Sequence, residues 1–249
     1  MGTTSSLGAA ARAKSARWSY YGHRLLQRLS GGRMGLYAYL VVAQPVGAWQ
    51  GPALRADPRT VVREVTPGDP LVAAFPRPAT VNRARFDAGG RCHVVTVDGT
   101  FAGHLWLSQG HYDEDEVRCR FLLPPAPACC WDYDVYIEPR FRVGRTMARL
   151  WQAVDRKLAD QGFRWTLSRI ARLNTASLLA HEHLGARKIA SAMFLVAGPA
   201  QVMMASCAPW LHFSFRRGNR ATLHLPAPPG GPPGPAAGTH EAHPQETAR

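Results

Sequence analysis

At 249 residues, 46% of them hydrophobic, the chain can bury a real core, which excludes a wholly disordered protein. Thirty Lys and Arg against seventeen Asp and Glu leave a net charge of +13, which favours an anionic partner: nucleic acid, acidic phospholipid or a phosphorylated cofactor. The five cysteines (Cys92, Cys119, Cys129, Cys130, Cys207) are odd in number and lack paired spacing, so a disulfide framework is excluded and they read as reduced thiols of a cytoplasmic protein.

Residues 1–33 carry Arg12, Lys14, Arg17, Arg24, Arg28 and Arg33 and no acid, among many Ser, Ala and Gly. They read as a solvated, disordered basic tail able to meet nucleic acid or anionic lipid. Three sharper readings stand beside it. MGTTSS fits a myristoylation pattern at Gly2 and Ser6, and the acid-free composition resembles an organelle transit peptide. Arg17–Leu29, with Trp18, Tyr21, Leu25, Leu26 and Leu29, fits a basic amphipathic helix on lipid.

Met34–Trp49 is uncharged, but its 16 residues contain Pro45 and Gly47 and fall short of a membrane span. Alternating Tyr37, Tyr39 and Val41 predict a buried strand there. Residues 50–70 are polar, with a short helix near Arg59–Glu64. From Ala84 the pattern turns to strands: Arg91–Val97, then Phe101–Leu107, joined at Asp98-Gly99, a strong hairpin signal. The acidic loop His111–Glu116 leads to a further strand, Val117–Leu123.

Asp132–Ile137 begins as an alternating β run, breaks at Pro139 and restarts as a helix near Arg145 or Thr146. A strand that ends in a loop opening a helix aims unpaired backbone N–H groups and the positive end of the helix dipole at one spot, suited to phosphate oxygens. Arg140, Arg142 and Arg145 add charge around that spot, and Gly144 lets an anion approach the backbone. Met147, Leu150, Trp151, Val154 and Leu158 line one face of a helix over Arg145–Gly162, with Gly162 as its stop. A strand over Phe163–Ile170 and a short helix over Thr175–Leu184, closed by Gly185, follow. Ile189–Phe215 holds no Asp, Glu, Lys or Arg over 27 positions, but Gly198-Pro199 splits it, and two buried terminal strands are expected rather than a membrane span. Residues 223–249 read as a Pro/Gly-rich disordered tail. The order predicts one domain over 34–222, a mixed sheet with helices on its faces. His93, His104 and His111 lack metal-ligand spacing, so no metal is expected.

Two segments together resemble the GNAT acetyltransferase superfamily. Ile137, Pro139, Arg142, Gly144, Arg145, Thr146 and Met147 occupy its strand-to-helix signature, in which Val143, Arg145 and Met147 stand where glycines are usual. Asn174-x-x-Ser177-x-x-x-His181-x-x-Leu184-Gly185-Ala186 resembles its second signature, with His181 in the place of a Tyr and Ala186 in that of a Phe. The resemblance implies an α/β (mixed α+β) fold with a GNAT-like splayed mixed sheet flanked by helices. It also implies acetyl-CoA or another acyl-CoA as co-substrate, held beside Asp132–Ile137. Pantetheine would meet the backbone at Tyr136 and Ile137, and the diphosphate would rest on Arg142, Val143, Gly144, Arg145, Thr146 and Met147. Asn174 and Ser177 would contact the cofactor or stabilise the wall behind it. The amine or hydroxyl of a small-molecule or peptide acceptor would attack the thioester directly, with Asp134 as base, Asp132 and Glu138 as alternates, and His181 as acid. Trp131, beside Asp132, is a candidate wall of the acceptor pocket. The rival reading is a non-catalytic basic module on the same scaffold that binds nucleic acid or anionic lipid.

Overall fold

The structure, a computed structural model, describes residues 34–47, 54–124, 129–216 and 218–229. The basic segment 1–33, with its three readings, and the tail from residue 230 lie outside the described residues. In chain order the strands are β1 (Met34–Pro45), β2 (Thr60–Val65), β3 (Arg91–Val97), β4 (Thr100–Ser108), β5 (His111–Asp113), β6 (Cys119–Leu122), β7 (Cys129–Ile137), β8 (Trp165–Ala171), β9 (Arg187–Ala197), β10 (Ala200–Ala205), β11 (Leu211–Ser214) and β12 (Ala221–His224). The helices are α1 (Ala79–Asp87), α2 (Thr146–Asp160) and α3 (Thr175–His183).

Nine strands form one mixed sheet in the order β11-β10-β9-β1-β8-β7-β4-β3-β2, and β12-β6-β5 form a small second sheet. Within the large sheet β7 and β8 are the parallel pair, with α2 as the crossover that parallel neighbours require. The β3–β4 hairpin turns at Asp98-Gly99, both with positive φ (49° and 73°), the conformation a two-residue turn demands. Helix α2 lays Leu150, Trp151, Val154 and Leu158 on Leu105, Leu107 and Cys130 of one sheet face. Met147, expected on that stripe, is instead 40% exposed, in the first turn of the helix. Gly162 (φ 81°) stops the helix as expected, and Phe163 N returns to Leu158 O at 3.0 Å.

On the opposite face, β5 and β6 press Tyr112 and Phe121 against Trp131, with ring centroids 5.1 and 5.0 Å away. Further along that face, α1 and the 3-10 turn Pro70–Ala74 bring Phe86 and Phe75 onto Trp106. Burying rings of this size contributes roughly 2–3 kcal/mol each, so this side of the sheet is as firmly covered as the α2 side.

Four expectations need correction. The helix near Arg59–Glu64 is β2: Thr60, Val61, Val62 and Val65 are β-branched, and Glu64 pairs across the strands with Arg91. Strands begin at Arg91 rather than Ala84, because Ala79–Asp87 is helical, started by Pro78 and tied by an Arg83–Asp87 pair at 3.1 Å. The uncharged run from Ile189 makes three strands, not two buried ones. Ala190, Ala192, Phe194 and Met203 point into the core, while Met193, Leu195, Met204, Leu211 and Phe213 are exposed on the other face. Packing also runs past residue 222: β12 pairs with β6, and Leu223 and Leu225 are buried. Among the described residues no helix is long and apolar enough to cross a membrane.

Candidate active site

Strands β7 and β8 pair over only three residues, Cys129↔Trp165, Cys130↔Thr166 and Trp131↔Leu167. Beyond Trp131 they part. β7 continues to Ile137 along β4, while β8 continues to Ala171 along β1. A bulge opens the fork: the β4–β7 register shifts between His104 and Trp106, and Asp134 there takes φ 46°. One extra residue bends the bulged strand and adds twist, which carries β7 away from its neighbour. Gly103 holds the other side, since a Cβ on it would lie 2.3 Å from Tyr136 O. The fork therefore exposes two strand edges with unpaired backbone groups, a slot for an extended, amide-bearing ligand.

Alternation decides which groups face the slot. Glu138 N donates to Ala102 O at 2.9 Å, so Ile137 turns its N–H and C=O toward the fork and Tyr136 turns its own toward β4. Of the two backbone positions expected to meet pantetheine, only Ile137 faces the slot. Its carbonyl already accepts from Arg142 Nε at 2.8 Å, which leaves its N–H to a ligand.

Past Ile137, Pro139–Phe141 form a 3-10 turn and Arg142–Arg145 a loop into α2. Arg142 N donates to Pro139 O, and Arg149 N to Arg145 O. The amides between them belong to the loop and the first turn of α2, where helix N–H groups lack intrahelical partners and the helix dipole also favours an anion. The side chains in the glycine positions do not fill this cup: Val143 is fully exposed, Arg145 and Met147 are exposed, and Arg142 is drawn aside to Ile137 O. A Cβ on Gly144 would make only ordinary contacts, so the fold does not require this glycine.

Asp132 sits at the apex, the first residue after the pairing ends, and is 4% exposed. Its Oδ2 and the buried hydroxyls of Thr166 and Ser168 have no hydrogen-bond partner of normal geometry among the described residues. Burial pushes the Asp132 carboxyl up to about 7, offset only in part by the neighbouring Ser168 and Thr166. The two hydroxyls lie beside the carboxyl, and the three groups make a small buried polar cluster at the point of the fork.

Asp134 lies in a different setting. The bulge turns it toward α1, where Arg85 Nη1 donates to its Oδ2, with Arg77 at 3.7 Å and His104 Nε2 at 3.8 Å. Burial works against ionisation, yet His104 and Arg85 outweigh it and hold the carboxyl well below the usual range. A carboxylate so held is a weak proton acceptor. Glu138, the other alternate, stands at the outer end of the slot within 3.3 Å of the Tyr136 hydroxyl.

His181 packs edge-on to Trp151, and its Nδ1 lies 3.2 Å from Gln44 Oε1. That oxygen is an acceptor, so Nδ1 carries the proton and Nε2 the lone pair; burial lowers the ring's pKa. Gln44 is the register partner of Thr166, so His181 stands one strand's width from the fork. Asn174 caps α3, its Oδ1 accepting from Ser177 N at 3.1 Å, and both residues thereby fix the helix that carries His181.

Sequence reading did not single out Gln44, Arg85, Thr166 or Ser168. Thr166 and Ser168 had a usable signal, since they alternate with Trp165 and Leu167 and so put hydroxyls on a buried strand face. Arg85 had none, being one of many arginines. Part of the described positive charge is spent in ion pairs, such as Arg63–Asp69, Arg91–Glu64, Arg120–Asp113 and Arg169–Glu114.

Parted parallel strands, an amide-lined loop between the first of them and α2, and a capped helix after the second are what the resemblance implied. The fold is GNAT-like. No protein-family model matches the chain, and no curated protein matches it. Among solved structures, the chain is similar to a conserved protein of unknown function from Staphylococcus epidermidis, with a TM-score of 0.49, 12% identity, and 70% of this chain and 66% of that one covered. It is also similar to a protein from Novosphingobium aromaticivorans assigned to the GNAT acetyltransferases, with a TM-score of 0.42, 20% identity, and 64% and 62% covered. A third is AAC(6')-Iy, solved with a CoA-containing bisubstrate analogue, with a TM-score of 0.37, 18% identity, and 51% and 89% covered. The chain spans less than two thirds of the length of the first two. In this chain β8 lies between β7 and β1, the strand at the start of the described residues.

Proposed function

We propose that the protein is an acyltransferase, working as one domain in the cytoplasm, that moves an acetyl or other acyl group from acyl-CoA to an amine or hydroxyl acceptor. The observation that carries this reading is the fork: two strand edges opening beside the N-terminus of α2, with a buried carboxyl and two hydroxyls at the apex. The acyl-CoA supplies the activated thioester. Ile137 N–H orients it along β7, and the amides of 143–148 with the nearby arginines hold its diphosphate.

The proton of the attacking acceptor goes to Asp132. A carboxyl poised near 7 divides its time between the two states at neutral pH, the condition under which acid–base catalysis works best. Asp134, first expected as base, is assigned to positioning, through Arg85. His181 remains the proton donor for the leaving sulfur. Its lowered pKa makes the imidazolium scarcer but a stronger acid, and Gln44 keeps the ring's Nε2 free for the transfer.

Thermal melting with acetyl-CoA and with desulfo-CoA tests the binding half. A ligand at a hundred times its Kd stabilises the native state by about 2.7 kcal/mol, several degrees for a chain of this size. Acetyl transfer to an amine panel, followed by thiol release, tests the rest. No stabilisation by either nucleotide at millimolar concentration would refute the reading.

A further inference from the structure

Beyond β1 the large sheet continues as β9, β10 and β11. On one face of this wing Ala190, Ala192, Phe194 and Met203 share a core with Phe121 and Leu223 of the small sheet. The strand registers fix what lies on the other face. Across the strands, Met34 pairs with Ala197 and that with Ala200; Leu36 leads to Leu195, Val202 and Phe213; Ala38 leads to Met193, Met204 and Leu211. Directly paired residues share a face, so these side chains form one grid, and no member of it carries a charge. Among them Met193, Leu195, Met204, Leu211 and Phe213 are 37–51% exposed. Apolar surface this contiguous marks a place where something docks.

The size of the grid selects the occupant. From Met34 to Ala38 the strand rises roughly 14 Å, and the three strand spacings from β1 to β11 span roughly 14 Å more. That footprint is far below the roughly 800 Å² per partner of a stable untethered complex, so it suits an occupant joined to the chain. One lies next to it in sequence. Met34 opens β1 at a corner of the grid, and Arg17–Leu29 ends just before it, separated by Ser30-Gly31-Gly32-Arg33. In that segment Trp18, Tyr21, Leu25 and Leu29 recur at helical spacing, while Arg17, Arg24 and Arg28 fall on a separate stripe. As a helix it is roughly 20 Å long and 10 Å wide, enough to run the length of the grid. Its linker reaches roughly 14 Å, enough to lift the chain from the sheet to a helix lying on it, and two glycines permit the reversal.

We propose that Arg17–Leu29, which lies outside the described residues, docks as a helix on this face, with Trp18, Tyr21, Leu25 and Leu29 on the grid and its arginines toward water. The short tether makes the contact intramolecular, at an effective concentration in the millimolar range, so a small apolar footprint suffices. Docked there, the segment gives the wing the two-sided cover that α2 and the small sheet give the middle of the large sheet. The proposal is independent of the acyltransferase reading.

Hydrogen–deuterium exchange of the full chain tests it. Amides of residues 20–29 are expected to exchange at least about 10-fold slower than their intrinsic rates, as docked helices do. Leu25→Asp/Leu29→Asp, in the segment, and Met204→Glu/Phe213→Glu, in the face, should each reduce that protection to less than about 2-fold. The second pair is decisive, because a helix formed for local reasons alone does not sense it. Met204 and Phe213 are already exposed, and circular dichroism melts check that the fold survives. If that pair does not fold, Leu211→Glu on the edge strand carries the same expectation. No protection in the parent chain, or protection unchanged by the charged face variants, overturns the proposal. Protection that appears only with phosphatidylserine vesicles overturns it in favour of a membrane, and protection that rises with protein concentration alongside a dimer in ultracentrifugation overturns it in favour of a second copy.

Discussion

Replacing Asp132 by Asn isolates the buried carboxyl at the fork. Asn mimics the protonated acid and cannot ionise, so the variant differs from the parent by one titration. An aspartate in the unfolded chain loses its proton near 3.9, whereas burial raises Asp132 to about 7. Below pH 4 both states are protonated, and the ionisation costs nothing. Between 4 and 7 the unfolded chain releases the proton and the native state keeps it, so the native state binds more protons and stability falls as pH rises. Above 7 the full cost persists. Three pH units correspond to roughly 4 kcal/mol at 1.36 kcal/mol per unit, or about 10 °C in Tm for a domain of this size. The advantage of Asp132→Asn should therefore grow from pH 4.5 to pH 8.5 by 2 kcal/mol or more, read by urea unfolding of both proteins at four pH values. The same variant should lose 10²- to 10⁴-fold in kcat, the usual contribution of a proton acceptor. A stability difference flat with pH to within about 1 kcal/mol would refute the placement of Asp132 in a dry fork, and unchanged turnover would refute its role.

Asp134→Asn should destabilise the fold by about 1–3 kcal/mol, because half-buried Arg85 keeps only Asp115, while kcat changes far less than in Asp132→Asn; the reverse ranking restores Asp134 as the base. Gly103→Ala drives a Cβ against Tyr136 O and should cost at least about 2 kcal/mol in urea unfolding, because the clash is with backbone and cannot be relieved by a rotamer. Gly144→Glu places a carboxylate at the mouth of the cup; the unliganded Tm should move by less than about 2 °C and the stabilisation by acetyl-CoA should vanish. His181→Phe should lower kcat by roughly 10- to 100-fold with the KM for acetyl-CoA within about 3-fold, and an unchanged kcat removes His181 from the chemistry.

What could be read from residues alone followed the strength of the local signal. Helix α2 was legible because Leu150, Trp151, Val154 and Leu158 recur at helical spacing before a glycine stop, and the β3–β4 hairpin because Asp98-Gly99 admits few other turns. Helix α1 was not, since its apolar residues form no stripe and Asn82 is its buried residue. Strand β2 was misread because Arg63 and Glu64 look like helix surface, and only pairing with Arg91 and His93 shows them to be cross-strand partners.

The choice between Asp132 and Asp134 shows the deeper limit. On a regular strand the two share a face, two residues apart, and nothing local separates them. The bulge breaks that equivalence. It exists because β4 and β7 slip by one residue between His104 and Trp106, a fact of pairing that no single strand contains. The slip hands Asp134 to Arg85, opens the fork, and leaves Asp132 at its apex beside Thr166 and Ser168. One backbone irregularity thus sets both the binding slot and the ionisation of its carboxyls. The missing glycines at Val143, Arg145 and Met147 matter less by the same logic, since the cup is made of main-chain amides and those side chains turn outward. Restoring a regular ladder by deleting residue 134 should therefore abolish acyl-CoA binding even with residues 142–147 intact, whereas changes of side chain within the cup that add no negative charge should only weaken it.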